Sequence, residues 1–473
     1  MAGNLATSPT FALQPSAKQV ALPSNYISNF DFLSQYLPET YSEEFERYGN
    51  RSVSSFLRLV GAELPFASDL IKWTEQGRLH TKYTQVGAPT GTGGNASVEF
   101  QVNDTISGSI AIRVGQTLVI SQNDGSGSNK GIVTAVNTAT NKFTVAFYEN
   151  TGLVTAGTGV GNSDVTVFIY GSEFQKGTAS MSGSLEAQTD IFENSPIILK
   201  DHYEVAGSDM AQIGWVEVNN ENGDTGYLWY LKSAGETRTR FEDYMETSVV
   251  EAVPAQAAAG ANPNSGALAA SYKGSDGLFY SVEARGNVWS GGNPDTLSEF
   301  DAIVSRLDKQ GAIEENVWFL NRAFTFDIDD MLAAQNSYGA GGTSYGLFNN
   351  DKDMALNLGF DGFRRGYDFY KTDWKYLNDP TMRGDLPSDN ISGLMVPAGT
   401  KTIYDQVLGK NAKRPFLHVR YRASENEDRR MKTWSEGGAG GYTNSGVDKM
   451  DIHFLTERAL CTLGANNFFL VKN

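Results

Sequence analysis

From Tyr227 onward, apolar residues recur three and four positions apart, at Leu231, Ala234, Phe241, Met245, Val249 and Ala252, until Pro254 stops the run. This spacing predicts one long helix over residues 227–253, roughly 40 Å at ~1.5 Å per residue, with a single buried stripe. The opposite face carries Lys232, Glu236, Arg240, Asp243 and Glu246, and Glu236 precedes Arg240 in the order that favours an ion pair one turn apart. Such a stripe needs apolar surface to lie on. Residues 452–463 and 468–471, around Gly464, read as two apolar strands that supply it.

Elsewhere the period changes. Val98, Phe100 and Val102 alternate with polar neighbours, as do Phe143, Val145 and Phe147, then Val165, Val167 and Ile169, with apolar pieces at 110–112 and 118–120 between them. Short strands separated by turn residues, such as 123–130 and Thr140–Asn141, suggest a small barrel or sandwich over residues 98–170. A Gly, Thr and Pro joint at 87–95 precedes it, and strand-like pieces at 78–86 (RLHTKYTQV) and 172–192 flank it. The block is expected to be a compact domain inserted into a long loop, where insertions are best tolerated.

Residues 1–25 are small, polar and proline-punctuated and read as an arm that cannot fold alone. Residues 28–77 read as short helices: 30–37 closed by Pro38, 42–48 stopped by Gly49, 53–60 before Gly61, and 67–75 ended by Gly77. A strand is expected at 197–205 and a loop at 255–275. The remainder is mixed: helices at 296–310 and 326–335, strands at 317–320, 394–397 and 415–421, and a stretch at 360–376 that alternates aromatics with charges. No internal repeat is present.

Charge narrows the function classes. The chain holds 55 Asp and Glu against 38 Lys and Arg, a net charge of −17, which argues against a phosphate-gripping surface. Its dense basic run, Lys413, Arg414, Arg420, Arg422, Arg429 and Arg430, is diluted by Glu425, Glu427 and Asp428, and reads as a solvated or subunit-facing strand and turn. The single cysteine, Cys461, lies in an apolar stretch and allows no intrachain disulfide. The first residues lack the basic start and apolar run of a secretory signal, and no stretch approaches the ~20 apolar residues of a membrane span. The reading is therefore a soluble chain made in the cytoplasm.

No constellation reaches a catalytic proposal. His80, His202, His418 and His453 lie far apart and show no metal-ligand spacing. Asp327, Asp329 and Asp330 with Asp351 and Asp353 lack the alternation, glycine turn and closing Glu of a calcium loop. The glycine-rich run at 342–346 (GTSYG) matches a nucleophile elbow in letters, but a Gly/Ala loop replaces the strand that must feed Ser344. Trp215, Trp229, Trp289, Trp318, Trp374 and Trp434 would suit sugar stacking, yet most fall inside expected helices or strands, where burial explains them. Catalytic residues, metal ligands and cofactors are all expected to be absent.

The order of parts is the informative signal. It resembles the Hong Kong 97-type capsid fold shared by tailed phages and herpesviruses. Residues 56–86 (FLRLVGAELPFASDLIKWTEQGRLHTKYTQV), the helical GYLWYLKSAGETRTRFEDYMETSVVEAV and the ending DKMDIHFLTERALCTLGANNFFLVKN are similar to major capsid proteins of crAss-like phages. The resemblance covers nearly the whole chain and implies an α+β capsid fold. Its parts would be an N-terminal arm (1–50), helices and the first strand of an extended loop (51–97), the inserted β domain (98–170), a return strand (171–196), a peripheral domain with a spine helix (197–285), an axial domain (286–445), and C-terminal strands of the peripheral domain (446–473). The inserted β domain departs from the simplest family members and is expected on the outer face of a shell.

The implied function is a structural shell subunit that assembles with copies of itself into hexamers and pentamers around double-stranded DNA. Portal, scaffold or protease, and decoration proteins are the implied partners, with no specific DNA binding and no membrane. A helical scaffolding segment ahead of the arm is not expected, and the resemblance assigns no crosslinking trio. Phe11, Arg78, Lys82, Tyr83 and Phe192 are the candidate subunit contacts. Two other readings stay open: a different virion structural protein, and a carbohydrate-active enzyme with an accessory β domain.

Overall fold

The computed structural model describes residues 63–472 apart from 79, 88–96, 104–109, 126, 150–163, 185, 188, 212–217, 220–224, 227–228, 256–265, 312, 337–361, 385, 387, 389, 406–409 and 440–445. The expected arm with Phe11, the helices before residue 62, Asp351, Asp353 and the 342–346 loop lie outside the described residues. The chain divides into two compact units, one of residues 73–192 and one of the residues on either side of it. In chain order the first strands are β1 (Glu63–Phe66), β2 (Ile71–Gln76), β3 (Lys82–Gly87), β4 (Val98–Val102), β5 (Gln116–Gln122), β6 (Ser128–Asn137), β7 (Lys142–Phe147), β8 (Val165–Ser172), β9 (Thr189–Asn194) and β10 (Ile197–Ala206).

The unit of residues 73–192 holds a closed barrel in the order β3-β4-β7-β6-β5-β8. Alternation sends Val98, Phe100, Val102, Leu118, Ile120, Phe143, Val145, Val165 and Val167 inward, joined by Ile110, Ile112 and Val133. Phe100 and Phe143 stack at 5.5 Å in this core. Gly131 lets the strands approach there: a Cβ would sit 2.3 Å from Val145 Cγ1.

The barrel takes in more chain than the alternation at 98–170 marks out. β3, read as the exposed first strand of a long loop, pairs with both β4 and β8 and closes the cylinder. Without it both partners would present open edges. A register shift between Tyr83 and Val86 puts both inward despite their spacing, which hides the buried side of this strand from a period-two pattern.

The second unit continues with β11 (Val218–Asn219), β12 (Thr225–Gly226), α1 (Trp229–Glu251), α2 (Leu278–Arg285), β13 (Asn287–Trp289), α3 (Leu297–Gln310), β14 (Glu315–Leu320), α4 (Arg322–Asn336), β15 (Gly362–Arg365), β16 (Tyr367–Asp373), β17 (Ile391–Pro397), β18 (Thr400–Asp405), β19 (Lys410–Pro415), β20 (Leu417–Arg422), β21 (Lys432–Gly437), β22 (Lys449–Thr462) and β23 (Phe469–Lys472). One sheet runs β1-β20-β22-β10, with β21 also on β22. The long β22 serves two partners along one edge: β20 pairs with its second half and β21 with its first, while β10 runs along the other edge.

α1 lies on this sheet, with Phe241 and Met245 against Phe454, Leu199, Ile452 and Met431. Two details depart from the helical pattern. Asp243 and Glu246, expected in solvent, are each only 6% exposed. Burial pulls the pKa of Arg458, a residue of β22, below the usual guanidinium range, and the Glu63 and Glu246 carboxylates oppose that shift, so the Glu246 charge is answered from the sheet. Arg240 donates to Asp201 of β10 at 3.0 Å, tying helix to sheet.

The other large sheet runs β13-β23-β17-β14-β16-β15. β23 belongs here, paired antiparallel with β17 and parallel with β13, and not to the sheet of β22 as the apolar run at 468–471 suggests; it shares a core only with the end of α1, at Val249 and Val250. Gly464, in the left-handed region at φ 59°, and the turn Ala465–Asn467 redirect the chain after β22. Phe469 and Val471 then enter the core beneath α3 and α4, while Leu470 enters the core shared with α1 and α2. A strand buried on both faces shows an unbroken apolar run, which period-two reasoning cannot place. α3 begins where expected, with Thr296 and Glu299 forming a reciprocal capping box.

Candidate functional site

β2 and β9 form a two-stranded sheet, and among the described residues no further strand pairs with either. The helix expected at 67–75 is absent because residues 71–76 alternate inward and outward and are claimed by β9. Lys72 and Glu193 meet at 3.1 Å, both well exposed, a pair worth less than about 1 kcal/mol. The Trp73 and Phe192 rings lie 6.2 Å apart, and Trp73 Nε1 donates to Glu75 Oε1 at 3.1 Å. Ile191 beside them is 65% exposed. A ladder of this width is marginal in water and gains from covering its edges.

The candidate contacts divide on this geometry. Arg78 is exposed just after β2, and Phe192 is half-buried on β9. Lys82 is exposed on β3 beside a shallow hollow lined by Val119, Thr166 and Phe168. Tyr83 leaves the set: it is 5% exposed inside the barrel, and its hydroxyl oxygen accepts the Ala111 N–H at 2.8 Å.

The basic run also changes its meaning. Arg422 pairs with Asp69 and, at 3.1 Å, with Glu457; Arg429 reaches Glu457 at 3.1 Å; Arg430 pairs with Glu63. Arg458 lies 4% exposed and donates to Thr456 Oγ1 at 3.0 Å and to the Arg430 carbonyl at 3.0 Å. Arg414 is buried as well. Arg422 and Arg430, with Arg458, therefore form an intramolecular clamp that holds β1 and its following turn against β20 and β22. Glu63 and Asp69, more than 350 residues earlier in the chain, are its acidic half, which local spacing could not reveal.

His418 sits within this basic surrounding, 3% exposed, with Nδ1–H donating to the Pro415 carbonyl at 3.3 Å. Burial, and then the Arg414 and Arg420 guanidinium groups, hold its pKa down to about 4. The folded protein thus prefers neutral His418. The associated stability is present above the unfolded value of about 6.5 and is lost as pH falls toward about 4. Between pH 7 and pH 5 the wild-type chain should lose about 2 kcal/mol more than His418→Gln in denaturant unfolding. Parallel losses in the two proteins would remove His418 as the titrating group.

The acidic stretch resolves into ordinary partners. Asp327 accepts from Asn293 at 2.8 Å, and Asp329 pairs with Lys371, both largely buried. Trp318 and Trp374 are enclosed in cores and offer no ring to a sugar. The register of β10 on β22 does bring together two residues that sequence left far apart: His202 stands opposite His453, with rings stacked at 5.9 Å.

No family model and no curated protein matches the chain. Among solved structures it is similar to one from Microbacterium phage Oxtober96, at 10% identity and a TM-score of 0.39, over 93% of this chain and 97% of that one. It is similar to the capsid structure of the cyanophage P-SCSP1u at 8% identity and a TM-score of 0.40, over 97% and 98% of the two chains. It is also similar to the capsid of a native GTA particle at 9% identity and a TM-score of 0.36, over 93% and 95%. Likenesses this distant carry no argument about what this chain does. Among the described residues no helix is long and apolar enough to cross a membrane.

Proposed function

We propose that the chain is a virion shell subunit, the major capsid protein of a tailed phage with a Hong Kong 97-type fold, assembling into hexamers and pentamers around double-stranded DNA. The observation that carries this reading is the succession of parts. A narrow two-stranded ladder leads into and out of a closed barrel, and is followed after β10 to β12 by a long helix laid on the sheet of β10 and β22. It is the order that the resemblance of residues 56–86, the α1 region and the C-terminal ending to crAss-like capsid proteins implies.

The physics supports it. A shell needs heterologous contacts that close rings and others that join them. A ladder with open edges, an exposed Ile191 and the exposed cations Arg78 and Lys82 can supply such contacts, with Phe192 and the arm residue Phe11 in the same role. The net charge of −17 disfavours adhesion to packaged DNA. Decoration proteins and a portal would be its further partners, and the barrel would stand on the outer face. The carbohydrate-active alternative loses two of its stacking tryptophans with the burial of Trp318 and Trp374.

The test is assembly. Purified protein, followed by sedimentation and negative-stain microscopy, should form pentamers, hexamers, tubes or shells. Arg78→Glu combined with Lys82→Glu should cut that yield while leaving the melting temperature unchanged. A strictly monomeric species at high concentration, in the presence of phage assembly partners, would overturn the reading.

A further inference from the structure

β22 turns alternate residues to opposite faces of its sheet. Ile452 and Phe454 pack under α1, while Asp451 and His453 face the other way. On that second face the register sets Glu436 of β21 opposite Asp451, and Trp434 opposite His453. From the other side β10 sets Glu204 opposite Asp451 and His202 opposite His453. A donor atom from each of Glu436, Asp451 and His453 lies within 4.8 Å of the other two, and His453 Nε2 is 3.1 Å from Glu436 Oε1.

Three features distinguish this cluster from an ordinary charged sheet face. The first is Asp451, 5% exposed, whose Oδ2 takes Lys449 at 2.8 Å while its buried Oδ1 has no hydrogen-bond partner among the described residues. A buried carboxylate oxygen without a partner has lost its water and gained nothing in return, a cost that a bound cation would remove. The second is His453, whose ring is stacked between Trp434 at 5.0 Å and His202 at 5.9 Å, so that its orientation is fixed. The third is charge. Glu204, Asp451 and Glu436 face one ammonium, Lys449, which also pairs with Glu204 at 3.1 Å. Lys432 lies 5.9 Å over Trp434 and is paired with Glu427 at 2.6 Å. Lys200 of β10, set opposite Leu455, faces the same way, so the row remains one charge negative while His453 is neutral, which favours a bound cation.

We propose that Glu436, Asp451 and His453 form a binding site for a first-row divalent cation of the zinc type. One imidazole nitrogen and two carboxylate oxygens are donors that such ions accept, and they leave a fourth position for water or for a group from a neighbour. Ligand atoms around a tetrahedral zinc stand roughly 3.4 Å apart, given bonds of about 2.1 Å. The present spread, within 4.8 Å, exceeds that by little more than 1 Å, a difference that side-chain rotation can close. The proposal stands independently of the assembly reading.

Zinc titration of the purified, unassembled full-length chain, read by chelator competition, should give one equivalent per chain and a melting temperature raised by zinc and restored by chelation. Glu436→Gln, at a half-exposed position where the fold tolerates the change, and His453→Gln should each weaken binding about tenfold or more. His202→Gln should keep the equivalent. Cobalt bound to the wild-type chain should show the visible bands of low-coordinate nitrogen and oxygen ligation. Absence of stoichiometric zinc binding, binding that survives both Glu436→Gln and His453→Gln, or calcium bound in preference to zinc would each overturn it.

Discussion

Phe241→Ala should lower the stability of the unassembled chain by about 3–5 kcal/mol, whereas Glu236→Ala should cost about 0.5 kcal/mol or less. Phe241 is fully buried at the centre of the contact between α1 and its sheet, with its ring 5.8 Å from that of Phe454. Met245, Leu199, Ile452 and Met431 complete the enclosure. Removing the ring forfeits its burial and leaves a cavity, because β10 and β22 are held by their ladder and cannot collapse into the space. Glu236, less than two turns earlier, points to solvent. Thermal and denaturant unfolding of the two variants separates the helix faces. Equal sensitivity, or a larger effect at Glu236, would mean that the buried stripe has been assigned to the wrong side of α1.

The same stripe shows what sequence could and could not convey. Apolar residues three and four apart located α1, its extent and its buried face, because those depend on the helix period alone. The strand beneath it is legible in part: β22 lies under Phe241 and Met245, while β23 joins the other sheet and shares a core only with the end of α1. Both are apolar runs, and which sheet accepts a run is decided by partners elsewhere in the chain. Asp243 and Glu246 sit at helical positions that read as solvent-facing, and the buried Arg458 that answers Glu246 stands more than 200 residues later. The Arg420–Arg430 region was legible as basic but not as internal, since its counter-charges Glu63 and Asp69 precede the barrel. The Glu436, Asp451 and His453 cluster was invisible for a similar reason. It exists only once β21 and β22 are paired in register.

Excising residues 98–170 is expected to destroy the fold of what remains of their unit, while excising residues 77–188 should leave the rest of the chain folded. The first cut removes β4 to β7 and most of β8, and strands β3 with Tyr83 and Val86 stripped of the core they occupy. The second cut falls between β2 and β9 and takes the barrel whole, with its core of residues drawn from within residues 83–167. Lys72 and Glu193 meet at 3.1 Å, so the two ends are already neighbours and a short Gly/Ser linker can join Gln76 to Thr189. The cores around Leu394, Phe300 and Phe241 contain no residue of the excised segment. Loop length enters stability only logarithmically, by about 0.6 kcal/mol per doubling, so replacing the barrel with a short linker should shift the melting temperature of the remainder by only a few degrees. Circular dichroism melts and limited proteolysis of both deletions give the comparison. If the second deletion fails to fold, the barrel is a structural part of the chain and not a domain carried in a loop. If the first deletion melts like the full-length protein, β3 does not belong to the barrel core.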